Sequence, residues 1–208
     1  MKVNEIFYSL QGEIDVGVPS VFVRSAFCNL NCSFCDTDFK RGKNMSVEEI
    51  VDIIKTHKSK NIIFTGGEPL LWCEDIDDII YSLNEEEEKY TFGIETNGTI
   101  YHPVLKSIDR VVVSPKNINP TSLRPEKLKQ FPKDAQYKFV YQSELGDWWE
   151  ELIQDVGIDK NNVWIMPEGA TYEEQLEHMN DVADYCLKTG YKMTPRLHTL
   201  LWSNSRGK

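Results

Sequence analysis

The sequence predicts an α/β protein built on a parallel sheet. Short apolar runs that end in Gly, Pro or Asn alternate along the chain with amphipathic segments of helical period. No Gly/Ser linker, repeat or low-complexity insert interrupts that alternation, so residues 1–208 read as a single domain. The unusual polar residues fall just after the apolar runs, where parallel α/β sheets place their sites.

Val3 to Leu10 alternates apolar and polar residues and reads as a strand, followed by the polar turn Gln11-Gly12-Glu13. Ser20 to Ala26 is a second strand. Ser46-Val47-Glu48-Glu49 is a capping box, and it opens a helix with Val47, Ile50, Val51 and Ile54 on one face. Asn61 to Thr65 is a short buried strand ending at Gly66-Gly67. Asp75 to Leu83 is helical, and Glu85 to Glu88 is its solvated end. Tyr90 to Thr96 is a strand ending in Asn97-Gly98, and Arg110 to Ser114 is another, stopped by Pro115. Leu123 to Phe131 allows one helical turn or two. Ala135 to Gln142 alternates as a strand. Asp147 to Val156 is a helix in which Trp148 and Trp149 pack. Asn162 to Met166 is a strand ending at Pro167. Thr171 to Thr189 is the longest helix, closed by Gly190. Lys192 to His198 reads as a last strand. Six or seven strands alternating with helices imply crossover connections, some of them shortened to turns.

Composition excludes several classes. Hydrophobic residues at 40% and charged residues at 27% are ordinary for a globular chain. No apolar run approaches the roughly 18 residues a membrane span needs, and Met1 to Glu5 leads straight into a strand with no signal-peptide pattern. Five cysteines, three of them clustered, point to a reducing cytoplasm. Cys73 and Cys186 read as small buried hydrophobes. A net charge of −10 with no basic stripe argues against nucleic-acid docking and for a small-molecule substrate.

The chemistry centres on Cys28, Cys32 and Cys35, spaced C-x3-C-x2-C in one loop. Soft thiolates favour zinc, copper(I) or iron–sulfur clusters. A structural zinc site takes four closed ligands. Electron-carrier clusters are usually closed by four cysteines. Three cysteines on a four-iron cluster leave one iron open to a substrate or cofactor. With Phe34 just before the last cysteine, the loop resembles the signature of the radical S-adenosylmethionine (AdoMet) superfamily. That resemblance implies a partial (β/α)6 barrel and a 4Fe-4S cluster held by the three cysteines. AdoMet would chelate the open iron and be split by one electron into methionine and a 5'-deoxyadenosyl radical. A partial zinc site is the alternative reading of the cysteines.

Gly66-Gly67-Glu68-Pro69 matches the superfamily's GGEP motif, which holds the methionyl amino group of AdoMet; read alone, it is a strand-to-helix turn. Phe34, Asp36, Ser114-Pro115-Lys116 and Met166-Pro167-Glu168-Gly169 enter as AdoMet contacts by the same resemblance.

Three further stretches resemble the 7-carboxy-7-deazaguanine synthase family: Ser9 to Glu13 ahead of Phe22-Val23-Arg24, then Cys35-Asp36-Thr37, and Pro195 to Trp202. The family implies ring contraction of 6-carboxy-5,6,7,8-tetrahydropterin to 7-carboxy-7-deazaguanine with loss of ammonia, on the route to deazapurine nucleosides such as queuosine. AdoMet would be regenerated rather than consumed. Leu10, Gln11, Gly12, Glu13, Arg24, Thr65 and His198 would line the pterin pocket, and Thr37 would help ligate Mg2+. A hydroxyl and a carboxylate are the hard oxygen donors that magnesium prefers, and Arg24 is a planar charged fork suited to a carboxylate. The resemblance also implies a flavodoxin- or ferredoxin-type reductant and a homodimer. Glu13 departs from the frequent QGEG pattern, being followed by Ile14. A glycyl-radical-enzyme activase and a non-enzymatic metal-stabilised binding module are the competing readings.

Overall fold

The computed structural model describes residues 1–33, 35, 37–119, 121–142, 146–205 and 207. Its strands are β1 (Lys2–Leu10), β2 (Pro19–Ser25), β3 (Lys43–Asn44), β4 (Asn61–Gly66), β5 (Thr91–Thr96), β6 (Arg110–Val113), β7 (Gln136–Tyr141), β8 (Val163–Pro167) and β9 (Lys192–Met193). Its helices are α1 (Val47–Lys55), α2 (Cys73–Asn84), α3 (Pro125–Leu128), α4 (Trp149–Val156), α5 (Tyr172–Thr189) and α6 (Leu197–Trp202).

Among the described residues the strands form one open sheet in the order β3-β1-β2-β4-β5-β6-β7-β8-β9. From β2 through β9 every neighbouring pair is parallel. The ends do not pair, so this is a partial barrel. The expected strand–helix alternation holds, and several connections are indeed short: a 3-10 turn at Pro103–Ser107 joins β5 to β6, and the four-residue α3 lies between β6 and β7.

Two expectations need correction. The first strand is not part of the parallel set: β1 pairs antiparallel with β2, and β3 antiparallel with β1. The link from Leu10 to Pro19 is too short for a crossover, which needs a dozen or more residues. The strand expected over Lys192 to His198 ends at Met193, and α6 begins at Leu197. Pro195 has no N–H for a ladder. Leu197, Leu200 and Leu201 recur at helical, not strand, spacing.

Strand alternation sorts the side chains. Val21, Val23, Ile62, Phe64, Phe92, Ile94, Val111, Val113, Tyr137, Phe139, Val163 and Ile165 belong to the buried core. They pack with Ile50, Val51 and Ile54 of α1 and with Ile76, Ile79, Ile80 and Leu83 of α2. Each such burial contributes roughly 1.5–3 kcal/mol relative to exposure. The intervening positions, among them Arg24, Thr65, Glu95, Ser114, Lys138 and Met166, line a cavity on the other face. Trp149 is fully buried in the core and Trp148 packs against it.

Candidate active site

The cavity has a volume of about 730 Å³ and lies at the carboxyl ends of the parallel strands. It collects Leu10, Gln11, Gly12, Glu13, Arg24, Cys28, Cys32, Cys35, Thr37, Thr65, Gly66, Gly67, Ser114, Lys116, Met166 to Gly169 and His198. Of the remaining expected site residues, Glu68 lies buried beside it and Pro115 does not line it. Phe34 and Asp36 lie outside the described residues.

The cysteine loop follows β2. Cys28 and Cys32 are half-buried and Cys35 is exposed. The Leu30 N–H donates to Cys28 Sγ at 3.4 Å, and Asn97 Nδ2 does so at 3.7 Å. Burial pushes the thiols of Cys28 and Cys32 up. Among the described residues no three His, Cys, Asp or Glu side chains converge tightly enough to hold a metal ion as they stand. The donor set nevertheless fits an iron–sulfur cluster: three thiols from one loop at the lip of an open cavity.

The glycines after β4 sit directly against this loop. A Cβ on Gly67 would fall 1.9 Å from the Phe27 carbonyl oxygen. The Glu68 N–H donates to that same carbonyl at 2.8 Å. Glu68 is fully buried and accepts from Leu70 N at 3.0 Å, Thr96 Oγ1 at 2.8 Å and Asn97 N at 2.8 Å. Burial pushes its carboxyl up to about 7 against these bonds.

The opposite wall is more strongly charged. Glu13 accepts from Lys138 Nζ and, at 3.2 Å, from Arg196 Nε. Burial works to raise the Glu13 carboxyl, but Lys138, Arg196 and His198 outweigh it and hold it well below the usual carboxylate range. A Cβ on Gly12 would fall 1.9 Å from His198 Nδ1, so a side chain there would displace that ring. Thr65 Oγ1 donates to Glu95 Oε2 at 3.1 Å, and burial raises the Glu95 carboxyl. Lys116 Nζ donates to Ser114 Oγ at 2.7 Å; burial, then the charge of Lys138, pushes its ammonium down to about 8.

Arg24 pairs across the β1–β2 ladder with Glu5. Its Nε lies 2.9 Å from Glu5 Oε1, at an angle outside hydrogen-bond geometry. Arg24 Nη1 donates to Thr37 Oγ1 at 3.2 Å.

Sequence reasoning put Glu95 and Asn97 at the carboxyl end of a strand without giving either a role, and it missed Lys138 and Gln175. Gln175 is buried and donates to the carbonyls of Pro167, at 2.9 Å, and Gly169, at 3.1 Å. Lys138 carried a usable signal, as a lone cation between the apolar Tyr137 and Phe139. The other three look like ordinary strand-end or helix residues.

The radical SAM superfamily model matches residues 22–182. A 7-carboxy-7-deazaguanine synthase from Pyrobaculum aerophilum is 37% identical over 227 aligned positions, spanning 100% of this chain and 97% of that protein. This chain belongs to the 7-carboxy-7-deazaguanine synthase family. The family member of Halobacterium salinarum is 33% identical across 99% of this chain and 91% of its own. The crystal structure of QueE from Escherichia coli superposes with a TM-score of 0.75 at 21% identity, covering 95% of this chain and 94% of that one. Native anSMEcpe with bound AdoMet gives a TM-score of 0.57 at 15% identity over 90% of this chain and 67% of that one. These two likenesses concern the fold. Superfamily membership carries a 4Fe-4S cluster and AdoMet as cofactors and a need for a reductant, and the synthase family adds a small-molecule substrate. The family relatives favour the synthase over the activase and the binding module.

Proposed function

We propose that this chain converts 6-carboxy-5,6,7,8-tetrahydropterin to 7-carboxy-7-deazaguanine with loss of ammonia. The observation that carries the reading is one cavity shared by the three thiols of the cysteine loop and by Gln11, Glu13, Thr65 and His198. Cys28, Cys32 and Cys35 would hold the cluster, which with AdoMet supplies removal and return of a hydrogen atom. The backbone at Gly66-Gly67 would receive the cofactor's amino group, with Ser114, Lys116 and Met166 to Gly169 around the rest of it. Pro115, Glu68, Phe34 and Asp36 complete that set as proposed contacts.

On the other wall, Gln11 and Glu13 would read the hydrogen-bonding edge of the pterin. Leu10, Gly12, Thr65 and His198 would pack along the ring. Arg24 would take the substrate carboxylate, and Thr37, bonded to Arg24 in this structure, would bring Mg2+ to the same carboxylate. Ser203, Asn204 and Ser205 line the cavity and would help exclude water. We further propose a flavodoxin- or ferredoxin-type electron donor, a cytoplasmic setting, a homodimer and one domain over residues 1–208. No helix among the described residues is long and apolar enough to cross a membrane.

Anaerobic incubation of the reconstituted protein with dithionite, AdoMet, magnesium and the carboxytetrahydropterin tests the reading. Deazapurine absorbance should grow over many turnovers while AdoMet persists. AdoMet consumed one for one with product would rule the assignment out.

A further inference from the structure

Lys138 is a buried cation of the cavity wall to which the proposed reaction assigns no task. It occupies an inward position on β7, and its side chain is 7% exposed. A lysine so placed is costly unless paired. Its partner is Glu13, bonded through Oε2, while Arg196 Nε donates to Oε1. The backbone of the same turn is held as well: Thr194 Oγ1 donates to the Glu13 carbonyl, and Leu197 N donates to the Gly12 carbonyl at 2.7 Å. Glu95 adds a second negative charge acting on Lys138.

Two cations, one on each oxygen, fix the charge and the direction of the Glu13 carboxylate together. An ionised carboxylate has about four acceptor sites and no donor. Two are filled here, and Glu13 lines the cavity. A group held in that state pairs well with two adjacent N–H donors and badly with a carbonyl, which would set acceptor against acceptor in a buried place.

We propose that Lys138 is a positioning residue that sets specificity: it holds Glu13 as a fixed, acceptor-only carboxylate, so that the pocket selects a ring edge presenting two N–H donors side by side. The 2-amino-4-oxo edge of a pterin is such an edge, and its 2,4-dioxo counterpart is not. The choice of ring rests on the substrate reading above.

The test is a ratio of affinities. Binding of pterin-6-carboxylate and of lumazine-6-carboxylate is measured on the reconstituted protein, with circular dichroism as the control for folding. The wild type should favour the pterin by about tenfold or more. Lys138→Met should bring the ratio close to one, and Lys138→Arg should keep part of it. A merely structural lysine would lower both affinities together and leave the ratio alone; that result, in a folded Lys138→Met protein, overturns the proposal. Should Lys138→Met not fold, Lys138→Gln retains a donor without charge, and the same ratio decides. The two readings fail separately. Turnover with an unmoved ratio removes only the role of Lys138. A ratio that collapses in a protein giving no deazapurine removes only the reaction. Wild-type protein that binds neither ring removes both.

Discussion

The backbone N–H of Asn97 donates to Glu68 Oε2 at 2.8 Å. That bond ties the end of β5 to the turn after β4, and the Asn97 side chain goes on to Cys28 Sγ and to Asn29 Oδ1, the latter at 3.0 Å. One buried carboxylate thereby braces three loops at the lip of the cavity. Glu68→Ala would strand the N–H groups of Leu70 and Asn97 and the Thr96 hydroxyl without their acceptor. We expect a loss on the order of 3 kcal/mol in urea unfolding, since each buried donor left without an acceptor costs about 1–3 kcal/mol and the three partly overlap. A loss below about 0.5 kcal/mol would show that the brace is dispensable.

The same residue gives a pH dependence. Its carboxyl is raised by burial from 4.5 to about 7. As pH rises through that window the unfolded chain gives up a proton that the folded chain retains, so stability falls and then levels above about pH 7. The contribution is of order 3 kcal/mol. Urea midpoints of the wild type and Glu68→Gln, followed from pH 4.5 to 8, should separate along that slope; parallel curves would contradict it.

Gly67→Ala places a Cβ against backbone, the Phe27 carbonyl, and not against a flexible side chain. The cysteine loop has to move to admit it. Iron bound after anaerobic reconstitution should fall well below the wild-type content while far-UV circular dichroism is unchanged. Wild-type iron content would mean that the loop yields without losing its ligand geometry.

Cys32→Ala separates chemistry from folding. Cys32 is half-buried at the rim, outside the hydrophobic core. Turnover should vanish while the urea midpoint changes by no more than about 0.5 kcal/mol. Global unfolding would make the thiol structural.

The sheet was legible because its strands are apolar runs with clear stops: Asn61–Gly66 and Thr91–Thr96 follow the expected spans within a residue. The hairpin character of β1 was not, since alternation alone does not give strand direction. The segment after Met193 misled because Thr194 continues the ladder by donating its N–H to the Ile165 carbonyl, at 3.0 Å, before Pro195 ends it. On the site side, loop motifs marked the cysteine wall, but the charged wall is built by partners remote in sequence. Neither Lys138 nor Arg196 stands near Glu13 in the chain, so the motifs at Ser9 to Glu13 and Pro195 to Trp202 do not announce that these side chains pair.

That remoteness bears on when the site comes into being. Glu13 meets Thr194 and Arg196 across separations of 181 and 183 residues. Closing so wide a loop is entropically expensive and late. During translation the parallel strands can assemble one after another from the ribosome, while the charged wall has to wait for residues 194–199. A nascent chain stopped short of them would own most of a scaffold, and a cysteine loop on it, with nothing yet to choose what enters.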